Sequence, residues 1–189
     1  MKLYLVICFV AVSVGPLYAT VVYPDAPQYT AGTGLNEATI VIDFDAGNYF
    51  TFKYKWDGAA TGWDALAAIY AFGALDVKSK WYPEFNSHFV NDFVYPGASS
   101  FDYGQGAFTG WGYWGSTDGQ SWVINSGVDT RHLENGSWDA WVWSNYDFNV
   151  SWDPIRSPGV SPVPEPASIS FLCLGIGFLF GNKKSVRRN

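Results

Sequence analysis

Both cysteines, Cys8 and Cys173, fall inside the apolar runs at the two ends of this 189-residue chain. Everything between those runs must therefore fold without a disulfide or a thiolate-held metal. At the N-terminal end, Met1-Lys2 is a minimal positive region, residues 3–14 are apolar, and Gly15-Pro16 precedes Leu17-Tyr18-Ala19. That order predicts a secretory signal peptide over residues 1–19, cut after Ala19 by signal peptidase. An uncleaved N-terminal anchor is the alternative. At the C-terminal end, residues 167–181 are apolar and Lys183, Lys184, Arg187 and Arg188 follow. As a helix the apolar run would span roughly 22 Å, a marginal match to a hydrocarbon core of about 30 Å. Subtracting both ends leaves an exported body of about 144 residues, 20–163, the size of one domain. Its stability has to come from a core, and all ten tryptophans lie between Trp56 and Trp152 to build one.

Directly before the C-terminal apolar run stands Val163-Pro164-Glu165-Pro166. The two prolines resist helix and keep the motif extended and reachable. The basic residues can snorkel to the headgroups and favour the cytoplasmic side, which puts the Pro-Glu-Pro outside the membrane. Motif, apolar segment and basic cluster together resemble the PEP-CTERM sorting signal of Gram-negative bacteria over residues 163–189. The resemblance implies a precursor held in the inner membrane by the helix at 167–181 and processed by an exosortase. Its product would be displayed at the cell surface or released into an extracellular polysaccharide matrix, with exopolysaccharide as a possible partner. A plain C-terminal membrane anchor that is never processed is the alternative.

Removing the ends also changes the charge. The whole chain carries −6, but five of its eleven basic residues belong to the ends. The body keeps Lys53, Lys55, Lys78, Lys80, Arg131 and Arg156 against sixteen acids, for a net charge of about −10. Such a field disfavours phosphate backbones, so no nucleic-acid partner is expected.

Along the body, residues 20–37 contain Pro24, Pro27, Gly32 and Gly34 without a period and read as an entry loop. A β-rich globular domain is expected over residues 38–150. Residues 38–44 form a strand, residues 45–48 supply turn residues, and residues 49–56 alternate. In that alternation Phe50, Phe52, Tyr54 and Trp56 share one face, and Thr51, Lys53 and Lys55 share the other, a wet one. Thr61 followed three residues later by Asp64 is a helix start, with Ala65, Leu66, Ile69 and Tyr70 at helical spacing and Gly73 as the stop. Further strands are expected at 77–82, 88–95, 111–115, 121–125 and 138–146, with a Gly-rich loop over 96–110. Pro154, Pro158 and Pro162 make residues 151–162 an extended linker before the sorting motif. The fold class expected is α+β, β-rich, with one main helix.

The order of hairpin, helix with Gly62-Trp63-Asp64-Ala65-Leu66, then Phe89-Val90-Asn91-Asp92-Phe93, Trp111-Gly112-Tyr113-Trp114 and Leu133-Glu134-Asn135-Gly136-Ser137-Trp138-Asp139 resembles the small domain at the C-terminal end of transcobalamin and intrinsic factor. The resemblance implies a β-grasp-like fold over most of residues 40–146. It departs at two turns, where Gly115-Ser116-Thr117-Asp118-Gly119 and Asn135-Gly136-Ser137 replace the family's Asn-Gly and Asp-Gly-Asp. In that family the domain caps a corrinoid together with a helical domain, which this chain lacks. Fold likeness alone does not carry that ligand across, and no cofactor is expected.

Candidate chemistry rests on aromatics. Trp111, Tyr113, Trp114 and Trp122 flank Gly-rich connections and could form a ligand platform. On a strand, Trp111 and Tyr113 share one face while Trp114 takes the other, so at least one face belongs to the core. The Trp-Asp pairs at 56, 63, 138 and 152 are too irregularly spaced for a propeller repeat and read as turn edges. Residues 43–48 lack the glycine and glutamate positions of a calcium loop, Tyr54 standing at position 12, and no metal is expected. His88 and His132 have no metal-like partners in sequence, and no nucleophile turn or phosphate loop is present. Catalytic residues are therefore not expected. Three functions stay open: a non-catalytic exported binding or structural domain, a corrinoid-type capping module working with a partner, and a glycan hydrolase built on a carboxylate pair.

Overall fold

The computed structural model describes residues 21–45, 47–100, 108–125 and 127–159. The expected signal peptide, Val163 to Pro166, the apolar run 167–181 and the basic residues 183–188 lie outside them. The described residues form a β-rich α+β domain with one helix and two sheets. The elements are β1 (Thr30–Gly32), β2 (Asn36–Asp45), β3 (Asn48–Trp56), α1 (Gly62–Phe72), β4 (Asp76–Tyr82), β5 (Ser87–Tyr95), β6 (Ala98–Ser99), β7 (Thr109–Ser116), β8 (Val123–Ile124) and β9 (Trp138–Asn145). A six-stranded sheet runs β1-β3-β2-β9-β7-β8, and a three-stranded sheet runs β4-β5-β6. At the centre of the large sheet the last strand, β9, lies parallel to β2, with Val41 opposite Ala140 and Ile42 opposite Trp141. The parallel pair requires the intervening chain to cross over the sheet, and α1 lies in that connection.

Local chemistry explains α1. Thr61 accepts from the Asp64 backbone N–H while the Asp64 carboxylate accepts from the Thr61 backbone, a reciprocal cap worth about 1 kcal/mol. Ala65, Leu66 and Ile69 then face the core. Tyr70, expected on the same stripe, is instead half exposed. Gly62 is buried, and a Cβ there would stand 2.2 Å from the Tyr113 hydroxyl oxygen; the bare α-carbon lets the helix start against β7.

The expected hairpin of β2 and β3 forms, with Ile40 opposite Phe52 and Val41 opposite Thr51. Its inner face carries Ile40, Ile42, Phe44 and Phe52 into the main core with Leu66, Ile69, Phe93 and Trp141. The outer face departs from the wet face that the alternation predicts at Thr51, which is buried, and in part at Lys53, whereas the Lys55 side chain stays partly exposed beside Glu37. Thr39, Val41, Asp43 and Thr51 are all at most 2 % exposed, beneath a second, smaller core of Tyr23, Val41, Ala140 and Val142. Two terminal segments supply the cover. Residues 21–28, expected as part of a loop, seat Tyr23 on the sheet, and the same entry segment continues into β1, which pairs parallel to β3.

Residues 151–159, expected as an extended linker, are part of the folded domain. Arg156 donates to the Asp43 carboxylate at 2.8 Å, to the Asp43 carbonyl at 2.8 Å and to the Trp143 carbonyl at 3.0 Å. The Gly159 amide donates to the Tyr23 hydroxyl at 2.9 Å, and Tyr23 in turn donates to Asp43 at 2.5 Å. The prolines that suggest a free linker fix an extended strap instead, with Pro154 and Pro158 buried. Among the described residues no helix is long and apolar enough to cross a membrane.

Candidate functional site

The four aromatics singled out by sequence are not brought together as a platform. Trp111 packs edge-on against Phe44 and Phe93 at the margin of the main core. Tyr113 is 6 % exposed and stacks on Trp141 at 4.3 Å, its hydroxyl donating to the buried Asp139 carboxylate. Trp114 and Trp122 lie on the opposite face, packed on the second core; Trp122 donates its indole N–H to the Gly159 carbonyl at 2.5 Å. The alternation along β7 separates Trp111 and Tyr113 from Trp114 as expected, but both faces pack against core residues.

Exposed aromatics gather elsewhere, and β5 organises them. The β4–β5 register shifts at Lys78/Ser79, so Asn91 is left unpaired as a bulge and both Val90 and Phe93 turn inward. His88, inward by the same alternation, lies on the Trp63 indole of α1 with ring centres 3.6 Å apart and planes 11° off parallel. Trp81 flanks it at 4.8 Å. Phe89 points outward, 61 % exposed, and Phe85 at the hairpin tip is 74 % exposed.

Asp129 anchors this arrangement. Its carboxylate lies 3.0 Å from His88 Nδ1 and accepts from the His88 backbone N–H at 2.6 Å and from the Ser87 hydroxyl at 3.1 Å. One carboxylate thereby ties the 127–130 turn to the start of β5. The turn is also fixed to α1, since Trp63 N–H donates to the Val128 carbonyl and Gly62 N–H to the Arg131 carbonyl.

Two cavities meet at His88 and Phe89. One, of about 240 Å³, is bounded by Tyr82, Phe85 and Ser87. The other, of about 170 Å³, runs between the two sheets past Trp111, Tyr113, Ile124, Tyr146 and Trp152. Trp152 is 81 % exposed and packs at 4.9 Å on Phe148, which also meets Tyr146 and Phe108. The result is a cleft whose side-chain walls are largely aromatic and whose polar groups include His88 and Asn125. Ring faces and hydrogen-bonding groups stand side by side there, a mixture suited to a ligand that presents both apolar faces and polar edges. A larger opening of about 440 Å³ near Asp45 and Arg156 lies by the strap and lacks such a ring cluster.

The buried acids are engaged elsewhere. Asp43 is held by Tyr23 and Arg156, and Asp139 by Tyr113 and Arg131, the latter at 3.1 Å. Burial raises both carboxyls above their ordinary range although the guanidinium and hydroxyl partners pull the other way. The same burial beside a carboxylate raises the Tyr23 and Tyr113 hydroxyls. Among the described residues no group of three His, Cys, Asp or Glu is placed to hold a metal ion.

Sequence reasoning passes over Trp63, Asp129 and Trp152. The first reads as a helix residue and a turn edge, the second has no motif around it, and the third reads as a turn edge. A histidine in an alternating aromatic strand is the one available signal. Comparison with protein-family models, curated proteins and solved structures finds no match for this chain.

Proposed function

We propose that this chain is an exported bacterial protein, sorted through its Pro-Glu-Pro signal to the cell surface or extracellular matrix, whose domain binds neutral polysaccharide without catalysis. The observation that carries the binding role is the cleft at His88 and Phe89, where Phe85, Phe89 and Trp152 stay exposed although the domain buries many other rings. Sugar rings present apolar C–H faces that pack on aromatic rings, and hydroxyls that need only a few polar partners. A body charge of about −10 disfavours anionic polymers, which leaves neutral ones.

The β-grasp-like reading of the fold belongs to the same proposal. It is supported by a hairpin leading into one helix and by a final strand inserted parallel to the first hairpin strand, between β2 and β7. The corrinoid-type alternative would need a partner to complete its pocket. The hydrolase alternative would need two acids facing one cleft, whereas the carboxylate nearest His88 is committed to three hydrogen bonds.

Intrinsic tryptophan fluorescence, titrated with neutral polysaccharides, anionic polysaccharides and cobalamins, separates these readings. Saturable quenching by a neutral polymer, weakened by Trp152→Ala, is expected. Quenching by cobalamin alone would replace the glycan reading, and silence across the panel would remove it.

A further inference from the structure

Within that cleft one polar atom is set apart by its surroundings. The His88 ring has one face against Trp63 and is flanked by Trp81, so its edges are what remain for hydrogen bonding. One edge is used: Nδ1 faces the Asp129 carboxylate at 3.0 and 3.2 Å from its two oxygens. A carboxylate can only accept, so Nδ1 must carry the proton. In the neutral ring the opposite nitrogen, Nε2, then holds a lone pair. No protein group bonds Nε2 among the described residues, the side chain is 22 % exposed, and His88 borders both cavities. Asp129 is itself held, since it also accepts from the His88 backbone and from Ser87, so it cannot swing away without undoing the start of β5.

We infer that His88 is the specificity-determining residue of the cleft, its Nε2 accepting a hydrogen bond from a ligand hydroxyl, and that Asp129 is the positioning residue that fixes the tautomer. The inference rests on the glycan reading and deepens it. It selects ligands that bring a hydroxyl donor beside an apolar face, as neutral hexose polymers do, over aromatic or aliphatic ligands that bring the face alone. An unpartnered acceptor is left behind when a ligand lacking that hydroxyl fills the space, which is how a site built around one hydrogen bond discriminates.

The chain has only two histidines, His88 and His132, so ¹⁵N-histidine labelling of the full chain in detergent micelles gives a spectrum of two rings. Recorded at pH 8.5, His88 is expected as the Nδ1–H form, and its Nε2 resonance is expected to move upfield when a neutral oligosaccharide is added. His88→Asn keeps a donor for Asp129 but removes Nε2, and should weaken oligosaccharide binding roughly tenfold. Asp129→Ala should shift the ring toward Nε2–H and weaken binding to a similar degree. If His88→Asn does not fold, the Nε2 shift on adding oligosaccharide to the native chain decides: movement supports the inference and constancy overturns it. An Nε2–H ring in the native chain, or unchanged affinity in a folded His88→Asn, overturns the inference while leaving the aromatic cleft as a glycan site. Absence of oligosaccharide binding by the native chain overturns both.

Discussion

Replacing Arg156 by Met tests whether the segment before the sorting motif is part of the fold. The guanidinium makes three hydrogen bonds, to the Asp43 carboxylate, the Asp43 carbonyl and the Trp143 carbonyl. Asp43 is 1 % exposed, so losing its cation leaves a buried carboxylate with one hydroxyl partner, Tyr23. Breaking a buried pair in this way costs about 3–5 kcal/mol, and the 28 % exposure of the Arg156 side chain argues for the lower end, about 3 kcal/mol. For a domain of this size that is a fall in Tm of roughly 10 °C. Adding Asp43→Asn to Arg156→Met removes the stranded charge, so the double variant should be more stable than Arg156→Met alone. Calorimetric melts of the four proteins complete the cycle. If Arg156→Met lies within about 0.5 kcal/mol of the native protein, residues 151–159 are not clasped and the sequence expectation of a free linker is restored.

Other expectations follow from single contacts. Gly62→Ala gains helix propensity of about 1 kcal/mol, but its Cβ would stand 2.2 Å from the Tyr113 hydroxyl oxygen and 3.1 Å from the Val128 carbonyl. Overpacking of about 1–3 kcal/mol should therefore win and lower the melting temperature; a more stable variant would refute the close approach. Asp118 accepts backbone N–H bonds from Ser121 and Gln120, which lower its carboxyl from the ordinary 3.8 to about 2. Its contribution to the 116–121 turn is thus complete above the unfolded value and lost as pH falls through about 2; an NMR titration showing an ordinary midpoint would contradict this. For sorting, Glu165→Ala should leave full-length protein in the inner membrane, and unchanged processing would remove the exosortase reading.

The parts of the fold legible in the sequence are those set by local chemistry. The Thr61/Asp64 cap and the alternation of Phe50, Phe52, Tyr54 and Trp56 each act within a few residues, and α1 and β3 form where they point. What the outer face of the hairpin meets depends on segments more than a hundred residues apart. Asp43 and Thr51 are polar, so the pattern reads as solvent-facing; their burial becomes affordable only because Arg156, Tyr23 and Ala26 supply hydrogen bonds from the two terminal segments. Prolines mislead in the same way, since an extended backbone serves a packed strap as well as a free linker. For the cleft, composition shows that rings are abundant but not which ones stay exposed. That selection is made by the β5 bulge at Asn91 and by the Asp129 tether, neither of which has a sequence signature.

Chemical-shift mapping with a neutral oligosaccharide is the measurement that bears most directly on the binding account. The account predicts saturable changes confined to the cleft, at the indoles of Trp63, Trp81 and Trp152 and at His88 and Phe89, with Trp114 and Trp122 unmoved. Changes centred on Trp114 and Trp122, or none at saturating ligand, would contradict it.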